Sequence, residues 1–283
     1  MENVLRERKN IKMKKKTNIV EDIYKYLEGY PKVSKKDSKR LADMIAAVVT
    51  EKLQQYRKPS LSMSSIGKPS RKLWMDIKYP CKPDGQARLK FLYGDIIEQL
   101  VIWLLQQTGH KVTKTQAKVK VNGVTGSIDL LLDGELRDVK SCSSHAFKKF
   151  KEGTLPDNDP FGYCAQLAGY NGHFKSATPG FIAVNKESGE ICEYLPDKDW
   201  DLPNPKAVID RAKTALKRKT MPEVPCYNPE PFGSSGNMAV SSHCKYCPHL
   251  KRCWPKARAF KYSTGTEYLT VVKKVPNVKE VKI

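Results

Sequence analysis

Two aspartates and a lysine lie close together in the segment GSIDLLLDGELRDVKS, residues 126–141. Asp129 and Asp138 offer carboxylate oxygens, the ligands that hard divalent cations prefer in proteins. Lys140 follows Asp138 by two residues, so on a strand the two side chains would share a face. A lysine placed there could stabilise charge that develops on a phosphate, or help to position an attacking water. The residue types and their spacing therefore favour a metal-dependent hydrolytic site.

A tight turn between the two aspartates would bring them together. Asp133-Gly134 is a strong two-residue hairpin signal between strand-forming runs. If these two residues form the turn, Asp129 and Asp138 face each other across the strand pair. Carboxylates so placed, about 5 Å apart at Cβ, repel each other, and a bound divalent cation removes that repulsion. The alternative is an exposed hairpin with ordinary surface charges, because Asp-x-Lys alone is common.

Two predicted helices add polar side chains that could join this site. Glu98 lies among apolar residues of a helix predicted over 88–107. A carboxylate on an apolar helix face costs free energy unless it is paired or metal-bound, although Glu98 could also lie at the edge of the apolar stripe. Gln166 and Tyr170 are four residues apart, so one helix face presents an amide and a phenol together. Tyr170 could equally be a core residue.

The charge balance indicates an anionic partner. Lys and Arg total 51 against 30 Asp and Glu, a formal charge of +21. Nucleic acid is the commonest partner of such a surface, and a merely soluble basic protein is the alternative. No apolar run approaches the roughly 20 residues that span a bilayer, and the charged N-terminus lacks the apolar part of a secretion signal. We therefore expect a cytoplasmic protein without a membrane partner.

Three of the eight cysteines lie in HCKYCPHLKRCW near the C-terminus. In a protein expected to be intracellular, cysteines favour metal or cluster ligation over disulfides. Cys244-x2-Cys247 also has a chelating spacing. Thiolates suit zinc and iron–sulfur clusters alike, and His243 or His249 could complete a zinc site. Three other cysteines lie in apolar elements and are expected to be buried packing residues: Cys142, Cys164 and Cys192.

The residue periodicity predicts an α/β fold with a central mixed β-sheet flanked by helices. The N-terminal region is predicted to be helical and the C-terminal segment to be stapled by its cysteines. The predicted helices cover 18–29, 37–57, the short stretch RKLWMDI, 88–107, 160–171 and 205–219. Strands are predicted over 111–121, 124–132 and 135–142, and in a second hairpin around Ser188-Gly189.

The ordered set of motifs resembles the RecB-like exonuclease branch of the PD-(D/E)XK nuclease superfamily. That branch carries G-x-x-x-[HE], then D, then [DE]-x-K, then Q-x-x-x-Y, and the covered stretch is about 62–255. Here the motifs read Gly94–Glu98, Asp129, Asp138-Val139-Lys140 and Gln166–Tyr170. The resemblance implies a restriction-endonuclease-like core and divides the chain as follows: 1–17, a basic flexible arm; 18–60, a helical region; 61–222, the nuclease core; 223–256, the cysteine-cluster segment; and 257–283, a basic tail.

The resemblance also implies roles for these residues. Mg²⁺ or Mn²⁺ would be bound by Glu98, Asp129 and Asp138, with the carbonyl of Val139 as a further ligand, and Lys140 would be the catalytic lysine. Gln166 and Tyr170 would hold the DNA strand or the geometry of the site. The upstream segment SSIGKPSRKLW makes Arg71 and Lys72 candidate DNA phosphate contacts, with a solvated basic turn as the alternative.

The cysteine segment resembles that of iron–sulfur RecB-like nucleases, in which three late cysteines join an upstream one around a [4Fe–4S] cluster. The family often has a cysteine before the arginine of the RKLW-like segment, where this chain has Ser70. Cys226 and Cys81 remain as fourth ligands, and Cys226 is preferred because it lies only 18 residues before Cys244. Zinc is the alternative metal.

We therefore expect a metal-dependent DNA exonuclease that acts on single-stranded or end-containing DNA. The compact chain resembles phage-encoded members, which implies phage recombination, repair or DNA processing, with phage or host recombination proteins as possible partners. One alternative is a structure-specific endonuclease on the same fold, because end preference depends on the loops around the site. The other is a non-catalytic DNA-binding module with a zinc or iron–sulfur staple.

Overall fold

The computed structural model describes residues 18–54 and 58–282. The basic arm expected at 1–17 lies outside the described residues. The helices are α1 (Ile19–Glu28), α2 (Lys35–Gln54), α3 (Ser70–Lys78), α4 (Gly85–Gln107), α5 (Ser144–Lys151), α6 (Tyr163–Phe174), α7 (Pro205–Lys217), α8 (Ser242–Lys245) and α9 (Leu250–Cys253). The strands are β1 (Val112–Thr113), β2 (Lys118–Val121), β3 (Val124–Ser127), β4 (Leu130–Leu132), β5 (Glu135–Cys142), β6 (Gly180–Asn185), β7 (Ile191–Tyr194), β8 (Glu230–Phe232), β9 (Asn237–Ala239), β10 (Arg258–Tyr262), β11 (Gly265–Val271) and β12 (Lys279–Val281).

Capping side chains determine where the longer helices begin. Asp84 accepts a hydrogen bond from the backbone N–H of Ala87 at 2.8 Å, so α4 starts three residues before the predicted Arg88. Asn204 caps α7 in the same way, with Pro205 as the first helical residue. The N-cap rule thus explains both helix starts: it corrects the start predicted for α4 and agrees with the start predicted for α7.

A five-stranded mixed sheet, in the order β1-β4-β5-β6-β7, forms the centre of the fold. Its only parallel pair among the described strands is β5 with β6, and the other neighbours are antiparallel. The chain crosses from β5 to β6 through α5 and α6, because parallel neighbours need a connection of this length. The central mixed sheet flanked by helices is the fold class that the sequence predicts.

The two faces of this sheet bury different cores. Leu136 and Cys142 of β5 pack in one core with α5, α6 and α7, whereas Val139 packs in the other with α4 and α1. This alternation follows from the two-residue period of a strand. Cys142 and Cys164 are buried in the first core, with Cys192 packed against it, as predicted.

The predicted strands 111–121 and 124–132 each divide into two. Lys114 and Gln116 have positive φ angles of 55° and 54°, which interrupts the first run between β1 and β2. As a result β2 and β3 leave the central sheet and pair as a separate hairpin around Asn122 and Gly123. Of the four strands formed by these two runs, β1 and β4 belong to the central sheet, where they pair with each other.

The segment 257–283, which the sequence suggested was a basic tail, contributes three strands to a second sheet. This antiparallel sheet has the order β12-β10-β11-β9-β8. Phe260 and Leu269 are fully buried on one face together with Ala239, while Lys261 and Lys279 are exposed. The many lysines made this segment look like a basic tail in the sequence. They alternate with apolar residues, which is the pattern of a strand with one buried face.

The N-terminal helices pack against the outside of α4. No residue of α2 is fully buried, and Leu41 and Met44 cover part of the second core. Trp103 of α4 donates a hydrogen bond from Nε1 to the carbonyl of Asp37 at 3.0 Å, which ties α2 to the core. In residues 18–54 and 58–282, no helix combines the length and apolar character needed to cross a membrane.

Candidate active site

The hairpin of β4 and β5 places the two aspartates as the turn signal predicts. Asp133 and Gly134 have φ angles of 52° and 94°, which is the requirement of a type I′ turn. The ladder pairs Leu130 with Arg137, so Asp129 stands one residue before β4, level with Asp138. The Asp129 Oδ2 atom accepts a hydrogen bond from the backbone N–H of Val139 at 2.7 Å. Both carboxylates therefore lie at the same point of the sheet.

Asp138 is the most deeply buried carboxylate of the site, with 1% of its surface exposed. Its Oδ2 atom forms an ion pair with the Nζ atom of Lys140. Within the described part of the chain, neither oxygen of this carboxylate has a further hydrogen-bond partner beyond that contact with Lys140. Burying a carboxylate with so little compensation is costly, so Asp138 is poised to receive a further cationic or hydrogen-bonding partner.

The Lys140 side chain lies between this carboxylate and an aromatic ring. Its Nζ atom is 4.8 Å from the centroid of the Tyr163 ring, at the start of α6. Burial alone would lower the pKa of Lys140, but attraction from Asp138 and Asp129 outweighs burial and raises that pKa above its ordinary value. This arrangement favours the charged form of Lys140, which suits a group that stabilises negative charge.

Glu98 brings a third carboxylate from α4. Its Oε1 atom accepts hydrogen bonds from the side-chain amides of Gln116 at 2.5 Å and Gln99 at 3.1 Å. Burial, together with repulsion from Asp95 and Asp138, raises the pKa of Glu98 to about 7. A shift of this size is uncommon for a glutamate.

The Asp129 carboxyl is perturbed in the same direction. Burial raises its pKa well above the ordinary value, and repulsion from Asp138 and Glu98 adds to the effect. Lys140 and the N–H group of Val139 oppose that rise without cancelling it. The three acids thus repel one another, and one lysine only partly offsets the excess negative charge.

Asp95 extends this acidic cluster and was not predicted from the sequence. It lies three residues before Glu98, on the same face of α4, and its carboxylate is 3.3 Å from the Nζ atom of Lys52. Burial raises the pKa of Asp95. The spacing of three residues between Asp95 and Glu98 could have indicated Asp95 from the sequence. The contact of Gln116 with Glu98 has no such signal in the sequence.

Gln166 and Tyr170 lie on α6, on the side of the sheet that carries Asp138. Tyr170 is 2% exposed, and burial, with repulsion from Asp138, raises its pKa. A Cβ atom on Gly126 would come within 2.9 Å of the Tyr170 ring, so glycine at that position lets the ring pack tightly against β3. This burial favours a role in the geometry of the site over direct contact with a DNA strand.

Arg71 and Lys72 have other partners than the phosphates suggested by the sequence. Arg71 is 8% exposed; its guanidinium donates hydrogen bonds to the carbonyls of Pro222 and Glu223 and to Cys253 Sγ at 3.4 Å. Lys72 Nζ is 2.8 Å from Asp76. These three hydrogen bonds tie the Arg71 guanidinium to the C-terminal segment. Its partners lie more than a hundred residues away in the sequence, so local spacing could not identify them.

Four cysteines gather around one small pocket beside α3. Cys226, Cys244, Cys247 and Cys253 line it together with His243 and His249, whereas the exposed Cys81 lies in a neighbouring groove. The Nε2 atom of His249 is 2.9 Å from Asp76, a carboxylate that also binds Lys68 and Lys72. The preference for Cys226 over Cys81 therefore agrees with the arrangement of the side chains.

The carboxylates of the acidic cluster and the thiols of the cysteine pocket are suitable metal ligands. In neither site, however, do the side chains adopt a metal-binding arrangement. Across residues 18–54 and 58–282, no group of three or more Cys, His, Asp or Glu side chains is arranged so that it could hold a metal ion. At the acidic cluster the reason is visible: Asp138 is paired with Lys140, Asp129 with the N–H of Val139 and Glu98 with Gln116. Binding of a hard cation would require these contacts to rearrange.

No family model and no curated protein sequence matches this chain. Among solved structures, the protein SSO0001 is 14% identical and matches 75% of this chain and 95% of its own, with a TM-score of 0.43. A phage-related exonuclease from Haemophilus somnus is 13% identical over 57% of this chain and 93% of its own, with a TM-score of 0.40. An alkaline exonuclease from Laribacter hongkongensis is 14% identical over 54% of this chain and 87% of its own, with a TM-score of 0.30. Likeness at this level does not assign a family.

Proposed function

We propose that this protein is a metal-dependent deoxyribonuclease, with its active site at the acidic cluster of Glu98, Asp129 and Asp138. One observation carries the proposal: Asp138 is buried, Lys140 is its one compensating contact among the described residues, and two further acids of raised pKa lie beside it. Perturbed acids cluster at functional sites far more often than in purely structural cores. A divalent cation would neutralise the repulsion that the single lysine leaves.

In this proposal the three carboxylates, with the carbonyl of Val139, hold Mg²⁺ or Mn²⁺. A bound cation of this kind polarises the phosphoryl oxygen and lowers the pKa of its water. Lys140, whose Nζ atom pairs with Asp138, would stabilise the negative charge that develops on the phosphate. Gln166 and Tyr170 keep α6 in place behind the sheet, and Tyr163 supports Lys140 from its other side.

DNA is the proposed substrate because the chain carries a formal charge of +21. We propose exonucleolytic action on single-stranded or end-containing DNA, in phage recombination, repair or DNA processing. Cleavage inside a structured duplex or junction is the competing mode on the same active site. A non-catalytic DNA-binding protein is the competing class, in which the Lys140–Asp138 ion pair would stay closed.

We further propose that Cys226, Cys244, Cys247 and Cys253 hold a [4Fe–4S] cluster, with zinc as the alternative. The four side chains line one pocket, and burial raises the pKa of Cys244 to about 11, a penalty on the thiolate that a bound metal would remove. Such a centre would tie the C-terminal segment to α3. A brown protein with broad visible absorption indicates the cluster, whereas a colourless protein with stoichiometric zinc indicates the alternative.

The decisive experiment incubates end-labelled linear and circular single-stranded DNA with Mg²⁺ or Mn²⁺ and compares the wild type with Asp138→Ala and Lys140→Ala. Asp43→Asn is the matched control, because Asp43 is exposed on α2 and pairs only weakly with Lys39, at 3.6 Å. We expect cleavage by the wild type and the control and none by the two site variants. Equal cleavage by all four proteins would exclude this active site, and cutting of circles would indicate an endonuclease.

A further inference from the structure

An exposed phenyl ring stands at the edge of the candidate active site. Phe161 lies two residues before the first residue of α6 and has 59% of its surface exposed. One face of its ring stacks on Tyr163, with centroids 5.4 Å apart and planes 25° from parallel. The exposure shows that much of the ring is open to solvent. An isolated phenylalanine on a surface is common and needs no functional explanation. Here the stack on Tyr163 fixes the orientation of the ring, so that its other face can receive another flat group.

The stack leads directly to the catalytic lysine of the proposed site. Tyr163 carries Phe161 against its ring and also lies 4.8 Å from the Nζ atom of Lys140. Phe150 supports Tyr163 from the core at a centroid distance of 6.2 Å. Lys140, Tyr163 and Phe161 therefore form a continuous series from the buried ion pair to the surface.

The loop that carries Phe161 is held in place from several sides. The Asp159 carboxylate accepts hydrogen bonds from the backbone N–H groups of Gly162 at 2.9 Å and Cys164 at 2.8 Å. Gly162 has a φ of +76° and packs so tightly against the backbone of Gly67 that neither position has room for a Cβ atom. The ring position is thus set before any ligand binds, which reduces the ordering cost of binding.

A cationic group lies beside this loop. Lys149 of α5 donates a hydrogen bond from its Nζ atom to the carbonyl of Asn158 at 3.0 Å. The ammonium group is therefore held against the loop three residues before Phe161, where a phosphate could reach it. A flat apolar ring with a neighbouring cation is the combination that binds single-stranded nucleic acid, because bases stack on the ring and the cation attracts the backbone.

Building on the nuclease function proposed above, we propose that Phe161 is a stacking platform for an unpaired nucleobase of the substrate. A base inside a duplex has both of its faces covered by neighbouring base pairs, so it cannot lie face-on against this ring. The substrate class is therefore single-stranded DNA or a frayed end, with an unstacked base held next to the phosphate that lies at Lys140. Phe161 acts through binding and position, and Lys140 through charge.

The test measures binding in EDTA, so that no cleavage occurs. Single-stranded oligonucleotides carry one 2-aminopurine, an adenine analogue whose fluorescence falls when it stacks, at successive positions near either end. We expect the wild type to quench the probe at one or two positions. Phe161→Ala should bind single strands roughly 10-fold more weakly, since stacking on one aromatic side chain is worth that much, and should lose the quenching.

Three further proteins make the outcome specific. Phe161→Trp should keep affinity and quenching, Phe161→Leu should behave like Phe161→Ala, and Tyr30→Ala should match the wild type because Tyr30, 92% exposed, lies between α1 and α2. Wild-type affinity in Phe161→Ala, or an equal loss on blunt duplex DNA, would overturn the platform. The binding result for Phe161 is independent of the proposed nuclease activity. If the wild type cleaves no DNA, the nuclease proposal is contradicted, while the binding measurement still tests the role of Phe161.

Discussion

The backbone N–H of Val139 donates a hydrogen bond to the Asp129 carboxylate at 2.7 Å, across the start of the β4–β5 hairpin. This contact fixes an acid from one strand against the backbone beside Asp138 on the next. It also means that Asp129 is held in place although burial, together with repulsion from its neighbours, raises its pKa. The site is thus ordered and electrostatically unfavourable at the same time.

Removing one charge from the cluster should therefore stabilise the metal-free protein. In EDTA we expect Asp129→Asn to raise the free energy of unfolding by about 1 kcal/mol, the scale on which like charges opposite each other destabilise a sheet. The asparagine oxygen can still accept from Val139, so the packing is kept. Urea unfolding measures the effect, and Asp43→Asn is the control. A less stable Asp129→Asn would contradict the proposed repulsion.

The raised pKa of Glu98 predicts the pH dependence of stability. The folded protein holds this proton up to about pH 7, whereas an unperturbed glutamic acid loses it near pH 4.5. Between these values the folded state binds more protons than the unfolded state, so stability falls as pH rises through the window. In EDTA, Glu98→Gln should flatten this part of the pH profile. A slope unchanged by the substitution would show that Glu98 is not its source.

Asp76 should be a main support of the junction between α3 and the cysteine segment. Burial opposes ionisation of Asp76, but hydrogen bonds from His249, Lys68 and Lys72 outweigh it and lower the pKa of Asp76. This stabilisation is present at neutral pH and is lost as pH falls below the ordinary range of an aspartate.

At neutral pH, Asp76→Asn should cost about 2–4 kcal/mol of unfolding free energy, because it removes the counter-charge of the half-buried Lys68 and Lys72 and weakens the contact to the buried His249. The control is Asp210→Asn, since Asp210 makes only an exposed pair with Lys206 and should change little. Urea unfolding at neutral and acidic pH compares the two variants. Equal effects in both would remove Asp76 from this role.

Arg71 should matter for structure rather than for DNA affinity. Arg71→Gln loses the guanidinium contacts to Pro222, Glu223 and Cys253, so we expect a lower Tm and weaker retention of metal by the cysteines. The salt dependence of DNA binding should be unchanged, because a phosphate contact would reduce its slope by about one unit. A reduced slope at unchanged Tm would restore the phosphate contact that the sequence suggested.

The sequence predicts those parts of the site that depend on local spacing. Asp133-Gly134 determines the register of the hairpin, and the register brings Asp129 level with Asp138. The partners of Arg71 and Glu98 depend on tertiary packing, for which the sequence carries no local pattern. Phe161 was missed for a related reason, since an isolated phenylalanine before a helix becomes informative only when its stack on Tyr163 is seen.

The most direct test of the central claim separates metal binding from catalysis with one substitution, Lys140→Gln. Because Lys140 pairs with Asp138 and would compete there with the proposed cation, we expect calorimetry to show that Lys140→Gln binds Mn²⁺ at least as tightly as the wild type. Its DNA cleavage should nevertheless fall at least about 100-fold, the scale expected when one charge-stabilising group is lost. Weaker Mn²⁺ binding together with undiminished cleavage would contradict the proposed active site.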